Sequence, residues 1–184
     1  MRKNSKLKYD KILHTTIALF NEQGINISGV DLISARSGVA KMTLYKYFES
    51  KNGLIKAYLD FISQQAINKF NEICASRETQ ECINNFFTLA IEKYKIENNR
   101  ACPLICSALE LGHEHPEFVK IIRDTYENIR HSIDMKLYDF QHPSAESTSK
   151  LIITLYQGAV ISAYINKSVE PLELAKQQAL AFLK

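Results

Sequence analysis

Residues 24–51 read GINISGVDLISARSGVAKMTLYKYFESK, and this stretch decides the fold. It divides into two short helices around a tight turn. Ser28 stands three residues before Asp31, which predicts a variant capping box: the Ser28 hydroxyl caps the helix and Asp31 reaches back to it. Val30 and Ile33 then face inward, and Ala35 takes a place where space is tight. Ser37-Gly38 breaks the helix, because glycine accepts positive φ without steric cost. Val39 plugs the angle between the two helices. The next helix, AKMTLYKYF, sets Leu44 and Phe48 four apart on a core face. Its other faces carry Lys41, Met42, Tyr45 and Lys46. Lysine also suits helix C-termini through the dipole, but two lysines, a methionine and a tyrosine within six residues exceed what a solvated helix end requires. The layout is that of a helix-turn-helix, whose second helix lies in the major groove of DNA.

Upstream, YDKILHTTIALFNEQG repeats Leu13, Ile17 and Phe20 at helical spacing, widened by Ile12 and Leu19, and Gly24 ends that helix. Downstream, Ser50-Lys51 opens a long helix. Its first amides and Lys51 form an anion site suited to a phosphate.

Residues 10–56 resemble the DNA-binding domain of the TetR (TetR/AcrR) family of bacterial transcriptional regulators. The segment GVAKMTLYKYFESKNGL carries the resemblance: Gly-Val, a small residue, Lys, a variable residue, Thr-Leu-Tyr, two variable residues, Phe, then Ser-Lys before a long helix. The resemblance implies that Ser28 and Gly29 begin a helix touching the DNA backbone and that Lys41, Met42 and Thr43 begin the recognition helix. It further implies that Tyr45 and Lys51 bind phosphates and Lys46 lies beside the groove. Residues Ser28 to Tyr47 together are expected to present a cationic, tyrosine-bearing ridge to DNA. Two positions depart from the pattern. Ala40 stands where the family often has Ser or Thr, which removes one hydroxyl. Met42 stands where Gly is common, which sets a bulky apolar group against a thymine methyl.

Charge is uneven along the 184 residues. Residues 1–60 hold ten Lys and Arg against five Asp and Glu, net +5, and residues 61–184 are net −2. The basic part is the part with the helix-turn-helix, as phosphate binding needs. Arg2, Lys3, Lys6 and Lys8 precede the first helix and read as a flexible arm on DNA or a solvated tail. No apolar core follows the charged start, so no signal peptide is expected. The longest uncharged run, Leu151–Asn166, is 16 residues with Thr, Gln, Ser and Asn among them, too short and polar to span a bilayer. Cys74, Cys82, Cys102 and Cys106 come without secretory context, so reduced thiols and a cytoplasmic location are expected.

Six further helices read at roughly 51–75, 80–98, 103–112, 116–140, 145–166 and 171–183. Pro103, Pro116 and Pro171 suit first-turn positions. The expected fold is therefore all-α: an N-terminal three-helix helix-turn-helix domain (1–50) and a C-terminal helical bundle (51–184), about nine helices in all. Helix 116–140 carries one long apolar stripe. Helix 145–166 is apolar on two sides, with Leu151, Leu155, Gly158, Ser162 and Ile165 on one and Ile152, Tyr156, Ala159 and Ala163 on the other. Two buried faces need two partners. A TetR-like homodimer follows, with its four-helix interface built from helices 145–166 and 171–183, the latter adding Leu172, Ala175 and Ala179. A palindromic operator on double-stranded DNA matches that two-fold symmetry.

In the family the middle helices enclose a small-molecule effector. Candidates to line such a pocket are Phe61, Phe86, Phe87, Tyr94, Leu104, Leu109, Phe118, Ile122, Tyr126 and Tyr156. The set favours an apolar or aromatic, neutral or weakly polar ligand, with Glu110 able to receive a cation. Coupling is expected through helix 51–75, joined to the recognition helix at Phe48 and Leu54, whose swing changes the spacing of the two reading heads. The alternative is a thiol- or metal-responsive regulator. Cys102 and Cys106 flank Pro103 at a helix start, with His113 and His115 nearby, although the spacing matches no strong zinc pattern. Catalysis is not expected: phosphate-loop, dinucleotide and zinc-protease motifs are missing, and no cofactor is called for.

Overall fold

The computed structural model describes residues 3–75, 78–96, 101–112 and 114–183. Among them the chain forms α1 (Lys3–Gln23), α2 (Val30–Ser37), α3 (Lys41–Phe48), α4 (Lys51–Cys74), α5 (Thr79–Ile96), α6 (Pro103–Leu111), α7 (Pro116–Asp139), α8 (Ala145–Asn166) and α9 (Glu170–Ala181). The fold is all-α, as its sequence periodicity requires. The chain divides into two compact units, one of residues 1–63 with 106–122, the other of 64–105 with 123–184. Neither limit falls at residue 50, because the first half of α4 packs with the helix-turn-helix.

In the first unit α1, α2 and α3 pack on one another. Ile12, Leu19, Phe20, Ile25, Ile33, Leu44, Leu54, Tyr58 and Leu59 are buried, each stabilising by roughly 1.5–3 kcal/mol. Tyr58 meets Phe20 edge to face at 5.1 Å and donates its hydroxyl proton to Asn21 Oδ1 at 2.8 Å. The basic N-terminus is not an arm from residue 3 onward: Lys6 and Lys8 are exposed on the first turns of α1, while Arg2 lies outside the described residues.

In the second unit α9 packs against α5 and α8. Tyr94 donates to the Ala163 carbonyl at 2.9 Å, tying α5 to α8. The expectation of four reduced thiols is corrected here: Cys74, the last residue of α4, is disulfide-bonded to Cys82 in the first turn of α5. The two Cα atoms are 4.8 Å apart, within the range a disulfide bridges.

Candidate functional site

The α1–α2 connection differs from the expected capping box. Ser28 is fully buried. Its hydroxyl donates to the Gly24 carbonyl at 2.7 Å and accepts from Gln23 Nε2 at 3.2 Å. It serves the end of α1 and is withdrawn from the surface. Gly29 is the N-cap of α2 and makes no side-chain bond. Asp31 does not reach back; it pairs with Lys41 at 2.7 Å, and that hydrogen bond holds the Lys41 ammonium above its usual pKa. Ala35 is exposed, not packed. The turn itself is as read: Gly38 caps α2 in the left-handed region at φ 63°, Val39 is buried, and Ser34 Oγ donates to its carbonyl at 2.8 Å.

Missing from the sequence reading was the carboxylate that holds this connection. Glu110 Oε2 accepts from the Ile25 amide at 2.7 Å and the Asn26 amide at 3.0 Å. The Glu110 carbonyl accepts from Asn26 Nδ2 at 3.3 Å. A carboxylate facing two backbone amides of a turn is a charge-assisted cap, and that is the role the structure gives Glu110.

On α3, Leu44 and Phe48 are buried while Met42 is 81% and Tyr45 37% exposed, and Lys41 and Lys46 are exposed beside them. Thr43 and Tyr47 are half-buried. Tyr47 shares a hydrogen bond with Ser5 at 3.0 Å and meets Tyr9 edge to face. Its hydroxyl thus braces α3 on α1 in addition to bordering the ridge. The α3–α4 turn is tight. Glu49 sits at φ 61°, and the Gly53 amide donates to Ser50 Oγ at 3.1 Å, making Ser50 the cap of α4. Lys51 follows, half-buried, with Nζ 3.5 Å from the Asn26 carbonyl.

The second unit holds a cavity of about 80 Å³. Of the candidate pocket residues, Phe86, Leu104, Tyr126 and Tyr156 line it, together with Ala66, Lys69, Phe70 and Ile73 of α4, Leu89, Ala90 and Lys93 of α5, and Cys102 and Ile129. The α4 and α5 sets each follow i, i+3, i+4, i+7 spacing, the signal that marks one helix face. Phe87 and Tyr94 are core residues beside the cavity, Phe87 fully buried against Phe86 and Tyr156. Phe61, Leu109, Phe118 and Ile122 are not in it, because all four belong to the first unit. Phe61 lines an open groove there with Tyr9, Tyr47 and Phe48, Leu109 is 71% exposed, and Phe118 and Ile122 are buried.

Residues 12–58 match the bacterial regulatory proteins of the tetR family. Residues 79–178 match the C-terminal domain of LmrA/YxaF-like transcriptional regulators. The chain belongs to the TetR family. YvdT of Bacillus subtilis (strain 168), an uncharacterized HTH-type transcriptional regulator, is 25% identical over all of this chain and 97% of its own length. The HTH-type transcriptional repressor BdcR of Escherichia coli (strain K12) is 26% identical over 84% of this chain and 78% of its own. Two solved structures share the fold. A TetR transcriptional regulator from Chloroflexus aurantiacus has TM-score 0.83 and 24% identity over 99% of this chain and 96% of its own. E. coli NemR in its reduced form has TM-score 0.86 and 17% identity over 94% of each chain.

On the outward side of the last two helices of this TetR-family chain, Gly158, Ile161, Tyr164 and Ile165 of α8 and Leu174 of α9 are exposed, with Leu151, Leu155 and Ser162 half-buried. Three expected interface residues are corrected: Leu172, Ala175 and Ala179 are buried within the chain, on the side of α9 that packs on α5 and α8. Among the described residues, and apart from its own helix backbone and chain neighbours, a Cβ on Gly158 would meet nothing within 4 Å. The thiol or metal alternative finds no support. Cys102 Sγ lies 3.6 Å from the Tyr126 hydroxyl, and His115 is 3.4 Å from Glu117. Among the described residues no three His, Cys, Asp or Glu gather as a metal site; His113 lies outside those residues. No described helix is long and apolar enough to cross a membrane.

Proposed function

We propose that this TetR-family transcriptional regulator is a cytoplasmic repressor. It binds a palindromic operator as a homodimer and leaves it when a small molecule enters the cavity of the second unit. The observation that carries the reading is α3. Leu44 and Phe48 anchor it, and Lys41, Met42, Tyr45 and Lys46 are left on its outer surface. Lys41 and Lys46 supply charge for phosphates, Tyr45 a hydroxyl, and Met42 an apolar tip for a base edge. Lys51 at the start of α4 adds a phosphate contact, and Gly29 opens α2 close to the backbone. Ser28 has no place in this set.

The description of BdcR as a repressor supports repression. The unbroken α4, which carries Lys51 at one end and cavity residues at the other, supports coupling between effector and DNA. Met42→Gly is expected to change which duplex sequences a random-site selection recovers, with less effect on the salt dependence of binding. The same recovered sequences for both proteins would remove Met42 from base reading.

The exposed apolar face of α8 supports the dimer. Because nothing among the described residues, its own helix backbone and chain neighbours apart, lies within 4 Å of a Gly158 Cβ, a bulky residue there is expected to clash with a second copy. Gly158→Leu is expected to convert the dimer to monomer in sedimentation velocity while the helical circular dichroism stays unchanged. A variant that remains dimeric would move the interface elsewhere.

A further inference from the structure

We propose that the effector is a small single-ring aromatic acid, its ring in the second-unit cavity and its carboxylate at Lys93. The proposal rests on the reading of that cavity as the effector site. Phe70 and Phe86 meet edge to face at 5.3 Å, and Phe86 lies 4.7 Å from Tyr156 at a tilt of 32°. Tyr126, also in the lining, lies 6.4 Å from Tyr156. Walls of this kind favour a flat aromatic body, which offers both face and edge to its neighbours.

Size sets the upper limit. The cavity of about 80 Å³ is far below the roughly 300–1,000 Å³ of sites for drug-sized ligands. It is also below the roughly 150 Å³ of an engineered cavity that takes up benzene. A cavity this small sets a single ring as the largest aromatic body the proposal admits, and its entry requires the lining to give way.

Charge sets the class. Among the described residues, the only side chains of formal charge along the lining are Lys69 and Lys93, and no described Asp or Glu joins them. Lys69 is held by both carboxylate oxygens of Glu72 at 3.1 Å, which offsets its charge. Among the described residues no carboxylate pairs with Lys93. It stands one turn beyond Ala90 and two beyond Phe86 on the α5 face that lines the cavity. A ring seated against Phe86 therefore directs a substituent along that face toward an ammonium group. An anionic substituent gains a charge-assisted hydrogen bond there, a neutral one gains less, and a cationic one is repelled.

Isothermal titration of the full chain with benzoate, benzyl alcohol and benzylamine tests this. Benzoate is expected to bind about tenfold more tightly than benzyl alcohol, and benzylamine more weakly than either. Lys93→Gln, an exposed helix position, is expected to bring benzoate down to the level of the alcohol and leave the alcohol unchanged. Ala90→Leu, which fills the cavity, is expected to abolish binding of both. Equal affinity for benzoate and benzyl alcohol in the native protein would overturn the acid assignment and leave the cavity as effector site. Benzoate binding that survives Ala90→Leu would overturn the location. No binding of any of the three up to about 10 mM would overturn the acid and the effector cavity together.

Discussion

Gly53→Ala is expected to destabilise the protein by about 3 kcal/mol, seen as a fall of about 10 °C in the thermal midpoint for a chain of this length. Glycine in the first turn of a helix ordinarily lowers stability relative to alanine. Here the order is reversed, because a Cβ at residue 53 would fall inside the Phe48 carbonyl oxygen. The obstacle is backbone and cannot rotate away. The same turn holds Glu49 at positive φ and the Ser50 cap, so it has little freedom to relax. Phe48 ends α3, and any shift that relieves the clash also displaces the reading helix. Operator affinity is therefore expected to fall together with stability. An unchanged midpoint in a calorimetric or circular dichroism melt would show that the α3–α4 turn is looser than its geometry implies.

Replacing Lys41, Tyr45 and Lys46 together by alanine is expected to weaken operator binding at least about a hundredfold and to lower the slope of log affinity against log salt by about two. The melting midpoint should stay within about 2 °C, since all three side chains are surface groups whose loss leaves no cavity. Lys41→Ala alone is expected to account for about one unit of the slope. Lys41 starts from a pair with Asp31, and phosphate has to compete with that carboxylate. Asp31→Ala is accordingly expected to act in the opposite direction and tighten binding. Fluorescence anisotropy across a salt series measures all of these. A triple variant that binds within a factor of two of the native protein would remove α3 from the DNA.

The helices and the turn were legible because their signals are local. Apolar residues recur at helical spacing, Gly24 and Gly38 punctuate, and proline marks helix starts, so α4 to α9 fall within a few residues of their expected bounds. Local signals also misled where two groups could serve one role. Ser28 is a good cap by type, but its hydroxyl donates to the carbonyl of Gly24 and caps no amide of α2. Gly29 was left to open the helix, and Asp31 was freed to meet Lys41. In the cavity the aromatic walls could be read from residue type. Ala66, Lys69 and Lys93 could not, since alanine and lysine on a helix look like a solvated face until a neighbouring helix covers part of it. Phe118 and Ile122 were apolar for the sake of the first unit's core, and Phe61 for that unit's open groove. On α9, Leu172, Ala175 and Ala179 form the expected stripe, but that stripe fills the chain's own core. Glu110 with residues 25 and 26, and Cys74 with Cys82, are pairings between separate elements that no periodicity announces.

The reading of α3 as the DNA-binding element is tested most directly by selecting duplexes from a random library with the native chain and titrating the recovered sequence against native, Lys41→Ala and Tyr45→Ala proteins. The expected result is a two-fold symmetric sequence whose affinity drops for both variants. Recovery of no preferred sequence, or of one that all three proteins bind equally well, would contradict it.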